Sequence, residues 1–253
     1  MHARVQTPMT GRMANAVPRS RGCRDSATLP WCHAMEPVTF STEDGVHLEG
    51  ELRLPEGPPR GTAAICHPHP RHGGSKDHPI LWAMRNELAQ RGFAVLSFNF
   101  RGVMGSGGTF GGGRDEVRDA RAAIGRVRGE APDLPTIVCG WSFGANVALR
   151  ETLDDERVAV LALVGVPLRP GDVELPALPR GDALRGLRVP VMLLAGEHDE
   201  YCPADELRTM ATEFRRARVE ILEGTDHYLW RREREAAARI GAFVDESLPA
   251  PAA

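Results

Sequence analysis

The sequence predicts an α/β protein: a mostly parallel sheet with helices on both faces and an antiparallel opening hairpin. Three observations carry this. Short apolar runs recur between amphipathic, helix-length stretches, the alternation that produces parallel strands covered on both sides. The first part of the pattern, residues 36–54, instead alternates apolar and polar residues around a polar turn. One apolar run, Ile137-Val138-Cys139, passes straight into Gly140-Trp141-Ser142-Phe143-Gly144 and then into a helix-compatible stretch, placing a serine at a strand–turn–helix junction.

Taken in order, residues 36–42 and 46–54 flank Glu43-Asp44-Gly45 and read as the hairpin. Residues 61–67 are a short buried strand, and residues 79–91 a helix that ends at Gly92. Residues 93–100 are a second buried strand. Residues 114–129 are an amphipathic helix with Val117, Ala120, Ile124 and Val127 on one face. Strand 135–140, helix 143–153, strands 157–166 and 189–195, helix 203–215, strand 218–223 and helix 228–247 follow. Ligands of such sheets bind beyond the carboxyl ends of the strands.

Composition is that of a globular chain: 253 residues, 42% hydrophobic and 26% charged. No apolar run approaches the ~18–20 residues of a membrane span. A net charge of −3 offers no electrostatic footprint for nucleic acid. The cysteines at 23, 32, 66, 139 and 202 are odd in number and form no Cys-x-x-Cys pair, and Cys66 and Cys139 sit in strand-like runs. A reducing, cytoplasmic setting fits them. One lysine, Lys76, stands against 30 arginines, a bias read as codon pressure before function. Residues 1–34 carry five arginines, one acidic residue and no apolar periodicity; without them the net charge is −7. They are expected to be a disordered or non-native N-terminal extension, with Met35 the natural start and residues 35–250 a single domain. They lack the apolar core of a secretory signal.

A serine hydroxyl is nearly inert at neutral pH and needs a positioned base. His227, in Gly224-Thr225-Asp226-His227 after the last strand, is the candidate. The base needs an acid to fix its tautomer, and Asp199, in the loop after strand 189–195, is placed to supply it. Alone, His227 reads equally as a surface or capping residue and Asp199 as a helix cap; Glu197 is an alternative acid, and Asp226, next to His227 in sequence, is a rival expected to point away from it. Together, Ser142, Asp199 and His227 follow the order nucleophile, acid, base, each at a strand's carboxyl end. The oxyanion donors expected are the backbone N–H of Phe143 and, from the loop His67-Pro68-His69-Pro70, that of His69, because prolines have no N–H. Three histidines within residues 67–72 invite a metal reading, but no cysteine or carboxylate completes a set. The glycine-rich run 101–113 has neither Gly-Lys-Ser/Thr nor Gly-x-Gly-x-x-Gly spacing and reads as a flexible rim; no cofactor is expected.

His67-Pro68-His69-Pro70 with Gly73-Gly74, Phe98-Asn99-Phe100-Arg101-Gly102-Val103, and Gly140-Trp141-Ser142-Phe143-Gly144-Ala145 resemble small bacterial α/β-hydrolases of the dienelactone-hydrolase-like or serine-aminopeptidase-like group. The resemblance spans residues 36–247 and implies an α/β-hydrolase fold, Ser142, Asp199 and His227 as a triad, and no metal. The chain departs from the group's pattern at Met104, where glycine is usual, at Gly111, where aspartate is usual, and at Asp77-His78-Pro79, where an Asn-Lys pair is usual. Dienelactone hydrolases proper use cysteine, so their particular reaction does not carry over. Residues 168–188 number 21 and contain three prolines and three glycines, leaving no room for a large helical cap. The expectation is an open site hydrolysing carboxylic esters or related small acyl compounds. A peptidase or thioesterase would use the same triad, and a silent binding module would keep the fold without the chemistry.

Overall fold

The computed structural model describes residues 35–248; the expectations for residues 1–34 lie outside the described residues. Strands β1 (Met35–Ser41) and β2 (His47–Arg53) form the hairpin. Thr42 N–H donates to the Val46 carbonyl at 2.9 Å, and Gly45 makes the turn at φ 82°. β2 pairs antiparallel with β4 (Phe93–Phe98), which runs parallel to β3 (Gly61–Cys66). Strands β5 (Thr136–Trp141), β6 (Val158–Val164), β7 (Val191–Gly196) and β8 (Ala217–Leu222) extend the sheet in parallel. The order is β1-β2-β4-β3-β5-β6-β7-β8. Every residue of β3, β4, β5 and β7 is buried, which is why these strands read as continuous apolar runs rather than alternations.

Helices α1 (Pro79–Gln90) and α6 (Glu233–Ser247) cover one face, where Met84, Leu88, Ile240 and Phe243 pack on Ile65, Ile137 and Leu194. Helices α2 (Glu116–Arg128), α3 (Phe143–Asp154), the short α4 (Asp182–Gly186) and α5 (Ala204–Ala211) cover the other, with Ile124, Val147, Leu184 and Leu207 against Leu96, Val138 and Leu193. Burying such side chains contributes roughly 1.5–3 kcal/mol each.

Two helices are shorter than expected. α6 begins at Glu233, not 228, because Leu229 (φ 53°) and Arg231 (φ 66°) adopt left-handed backbone that no helix continues through. Leu229 is buried there, so side-chain burial outweighs the backbone cost. α5 stops at Ala211 because residues 212–214 tighten into successive i→i−3 bonds that bring Phe214 against the core. α4 was not anticipated; its five residues bury Leu184 and are the only helix between residues 168 and 188 among the described residues.

The glycine-rich run is clamped rather than loose. The Glu116 carboxylate accepts from the amides of Gly111 at 2.7 Å and Gly113 at 2.8 Å. Arg101 bridges Asp119 at 2.7 Å and Asp44 at 2.9 Å, tying the run to α2 and to the hairpin turn. Its guanidinium holds the Asp44 carboxyl well below the usual carboxylate range. Met104, where the resembling group has glycine, sits at φ 50° and is exposed.

Candidate active site

Strand β5 delivers Ser142 to a turn so tight that the serine takes φ 54°, ψ −117°, a conformation L-residues rarely hold. The glycines either side make the turn possible. A Cβ on Gly140 would lie 2.2 Å from the Gly144 carbonyl oxygen, and one on Gly144 would lie 2.2 Å from that of Cys66. Phe143 opens α3 and is fully buried, so the helix presents its amino-terminal end, the positive end of its dipole, beside the Ser142 hydroxyl.

Asp199 follows β7. Its Oδ1 accepts from the amides of Tyr201 at 2.9 Å and Cys202 at 2.8 Å, so the carboxylate is fixed before it meets its partner. That partner is His227 after β8, whose Nδ1 lies 2.9 Å from Oδ1 and 2.8 Å from Oδ2. Both residues are buried. With Nδ1–H donating to the carboxylate, Nε2 is left as the free, basic nitrogen.

Two connections bring His227 beside the serine turn. Trp141 Nε1–H donates to the His227 carbonyl at 3.2 Å. The Ser142 amide donates to the Val164 carbonyl at 2.8 Å, and the next residue, Gly165, touches the histidine: a Cβ there would be 2.9 Å from His227 Cε1 and 3.3 Å from Asp199 Oδ2. Gly165 is thus a site residue that sequence reasoning missed. Its signal was a glycine directly at the carboxyl end of a parallel strand. The Ser142 hydroxyl and His227 line one cavity of about 150 Å³ but make no direct hydrogen bond among the described residues.

The rivals are placed elsewhere. Glu197 accepts from the Gly224 amide at 2.8 Å, and Asp226 from the Tyr228 amide at 3.0 Å. Asp199 caps no helix; Pro203 is the residue before α5.

The β3–α1 loop supplies the facing wall. His67 accepts the Phe100 amide on Nε2 at 2.9 Å and so donates from Nδ1 to the Pro68 carbonyl at 2.6 Å. Both its nitrogens are engaged, and burial depresses its pKa to about 3, so it is a neutral brace holding the loop to the end of β4. His69 Nδ1 accepts from the Arg71 amide at 3.2 Å, and its ring packs against Phe143 at 5.0 Å. Among the described residues, neither the His69 nor the Phe143 amide has a backbone acceptor. Burial lowers the pKa of His69 and of His78 as well, favouring neutral rings around the cavity. No group of ligands suited to a metal ion occurs among the described residues. Tyr201, unremarked in the sequence, and His78, noted there only as a departure from the group's pattern, help frame the cavity: Tyr201 sits 4.9 Å from the His227 ring, and His78 4.2 Å from that of Trp141.

Comparison with known proteins places the chain by family and fold. The alpha/beta hydrolase domain family matches residues 65–244. A serine hydrolase without a lid from Xanthomonas campestris is 26% identical, with 86% of this chain and 97% of that one covered and a TM-score of 0.72. A serine hydrolase homologue from Coxiella burnetii is 25% identical over 82% and 96%, with the same TM-score. Among curated proteins, an uncharacterised protein of Rickettsia prowazekii is 25% identical, covering 83% of this chain and 89% of its own length. A monoacylglycerol lipase of Mycolicibacterium smegmatis is 29% identical over 43% of this chain and 38% of its own.

Proposed function

Since the chain belongs to the alpha/beta hydrolase family, we propose that it is a serine esterase in which Ser142, His227 and Asp199 form the triad. One observation carries this reading: a buried carboxylate, fixed by two amides, grips His227 Nδ1 where that histidine shares a cavity with a strained serine. The Ser142 hydroxyl attacks the ester carbonyl while His227 Nε2 takes its proton. The Phe143 and His69 amides, free of backbone acceptors, receive the developing oxyanion. The alcohol leaves with the proton from His227, and water, activated by the same nitrogen, releases the acyl group. Asp199 orients the imidazole and stabilises its charged form. No metal or cofactor enters any step.

The Xanthomonas relative is described as lidless, and the single five-residue helix within residues 168–188 supports the same open access here. The three described cysteines are free and buried, which supports a reducing, cytoplasmic setting; no described helix is long and apolar enough to cross a membrane. The His-Pro-His-Pro loop supports placement in the dienelactone-hydrolase-like group.

A fluorophosphonate probe is expected to label the protein at Ser142, and Ser142→Ala to abolish labelling and lower ester hydrolysis by at least ~10⁴-fold with the fold unchanged. Parallel assays on matched oxyester, thioester and amide substrates should rank the oxyester first. Absence of labelling would remove the enzymatic reading; preference for amide or thioester would reassign the reaction class.

A further inference from the structure

The cavity at Ser142 is small. An apolar cavity of about 150 Å³ accommodates roughly one benzene ring, whereas ordinary ligand sites span ~300–1,000 Å³. It does not stand alone. Pro167, Pro170 and Leu175 line it and also line a second cavity of about 520 Å³ between residues 168–180 and α5. The second cavity continues along Leu168, Ala177 and Leu178 and reaches Arg180 and Glu206.

Those two charges are already matched. Arg180 Nε lies 3.2 Å from Glu213 Oε1, and Glu206 Oε1 takes Arg169 Nε at 2.7 Å. Pairing within the protein makes these charges poorer partners for an ionised ligand terminus. The segment over the cavity is tethered through its backbone: Asn146 Nδ2 donates to the Pro176 carbonyl at 3.0 Å, the Gly181 amide to Glu213 at 2.6 Å, and the Arg169 amide to the Tyr201 carbonyl at 2.9 Å. Backbone tethers leave Leu175 and Leu178 to serve as wall. Residues 168–181, too short to fold over the site as a cap, instead form with α5 the walls of a half-open space beside it.

We propose that the two cavities form one acyl channel, so that the substrate is a neutral ester whose linear aliphatic acyl chain exceeds six carbons. Its carbonyl lies at Ser142 and its tail passes Leu175 beneath residues 168–181 into the second cavity. This rests on the serine-esterase reading and replaces the expectation of small acyl groups only. Each methylene newly buried in the channel should raise kcat/KM up to roughly fourfold.

The test is an acyl series of p-nitrophenyl esters, C2 to C12, on the wild type and on Leu178→Trp, which fills the second cavity without touching the first. The expected result is a wild-type kcat/KM that climbs past C6, and a variant that loses at least ~10-fold on C10 and C12 while C2 and C4 hold, which also shows that the variant folds. A wild-type optimum at or below C6, or a variant with an unchanged profile, overturns the channel: the shared residues would then be a partition between separate spaces. If no ester is cleaved at all, the esterase reading fails, and the channel is judged separately on Ser142→Ala by thermal shift. Methyl decanoate should raise its melting temperature more than methyl acetate does, and Leu178→Trp should remove that difference. Equal shifts would overturn the proposal.

Discussion

The serine turn at residues 140–144 and the segment at 168–181 border the same cavity and are held by opposite means. The turn is fixed by backbone packed against backbone, with no room for one added carbon at Gly140 or Gly144. The segment is held by side chains, a few polar tethers and Leu168, Leu175 and Leu178 against the core, and one exposed ion pair, Arg71–Glu174 at 3.7 Å, links it to the β3–α1 loop. Attack geometry therefore sits where the chain cannot drift, and substrate contacts sit where a side chain can change at little cost. Substitutions in the two regions should behave accordingly.

The largest effect is expected at the turn. Gly144→Val drives a side chain into the Cys66 carbonyl and should cost ~3–5 kcal/mol or abolish soluble native protein, read by circular-dichroism melting. A mild shift there would break the contrast. Next, Asp199→Asn should lower kcat by ~10³–10⁴-fold, because an amide cannot hold His227 in the same tautomer with the same charge. Its melting temperature separates this from unfolding.

A smaller effect concerns the helix behind the turn. Burial raises the pKa of Glu151 on α3 from 4.5 to about 7, against the opposing hydrogen bond from Arg121. Between those values the unfolded chain ionises while the native carboxyl stays protonated, so this group's contribution to stability falls as pH rises from 4.5 to 7 and is level above. Glu151→Gln should leave the melting temperature nearly unchanged at pH 4.5 and raise it at pH 8 by ~2–4 °C, about 1 kcal/mol after solvent screening. Equal shifts at both pH values would show that burial is not the cause. Met104→Gly should stabilise by ~0.5–1 kcal/mol, since glycine holds φ 50° without strain. The smallest effect belongs to the segment: Glu174→Ala removes an exposed pair and should change stability by less than ~0.5 kcal/mol.

The strand–helix alternation was legible because burial on both faces writes itself as unbroken apolar runs, as in Phe93–Phe98. Helix ends were less so. Nothing local announces that Leu229 would trade a helical backbone for a place in the core, because that gain comes from a cluster built largely by α1 and the strands, distant in sequence. Of the site, the chain order Ser142, Asp199, His227 was visible, and the structure brings Asp199 and His227 into contact. Gly165 was visible only as a glycine at a strand end, since its need to be glycine exists only once β6 lies beside the loop that carries His227.

Sequence alone thus determined the layered architecture, the serine turn and the choice of candidate residues, because period, glycine spacing and residue chemistry are local properties. Tertiary structure decided which of Asp199, Glu197 and Asp226 meets the imidazole, that His67 is a neutral brace, and that a second cavity adjoins the first. Each of those depends on distances between segments far apart in the chain, which no local pattern encodes.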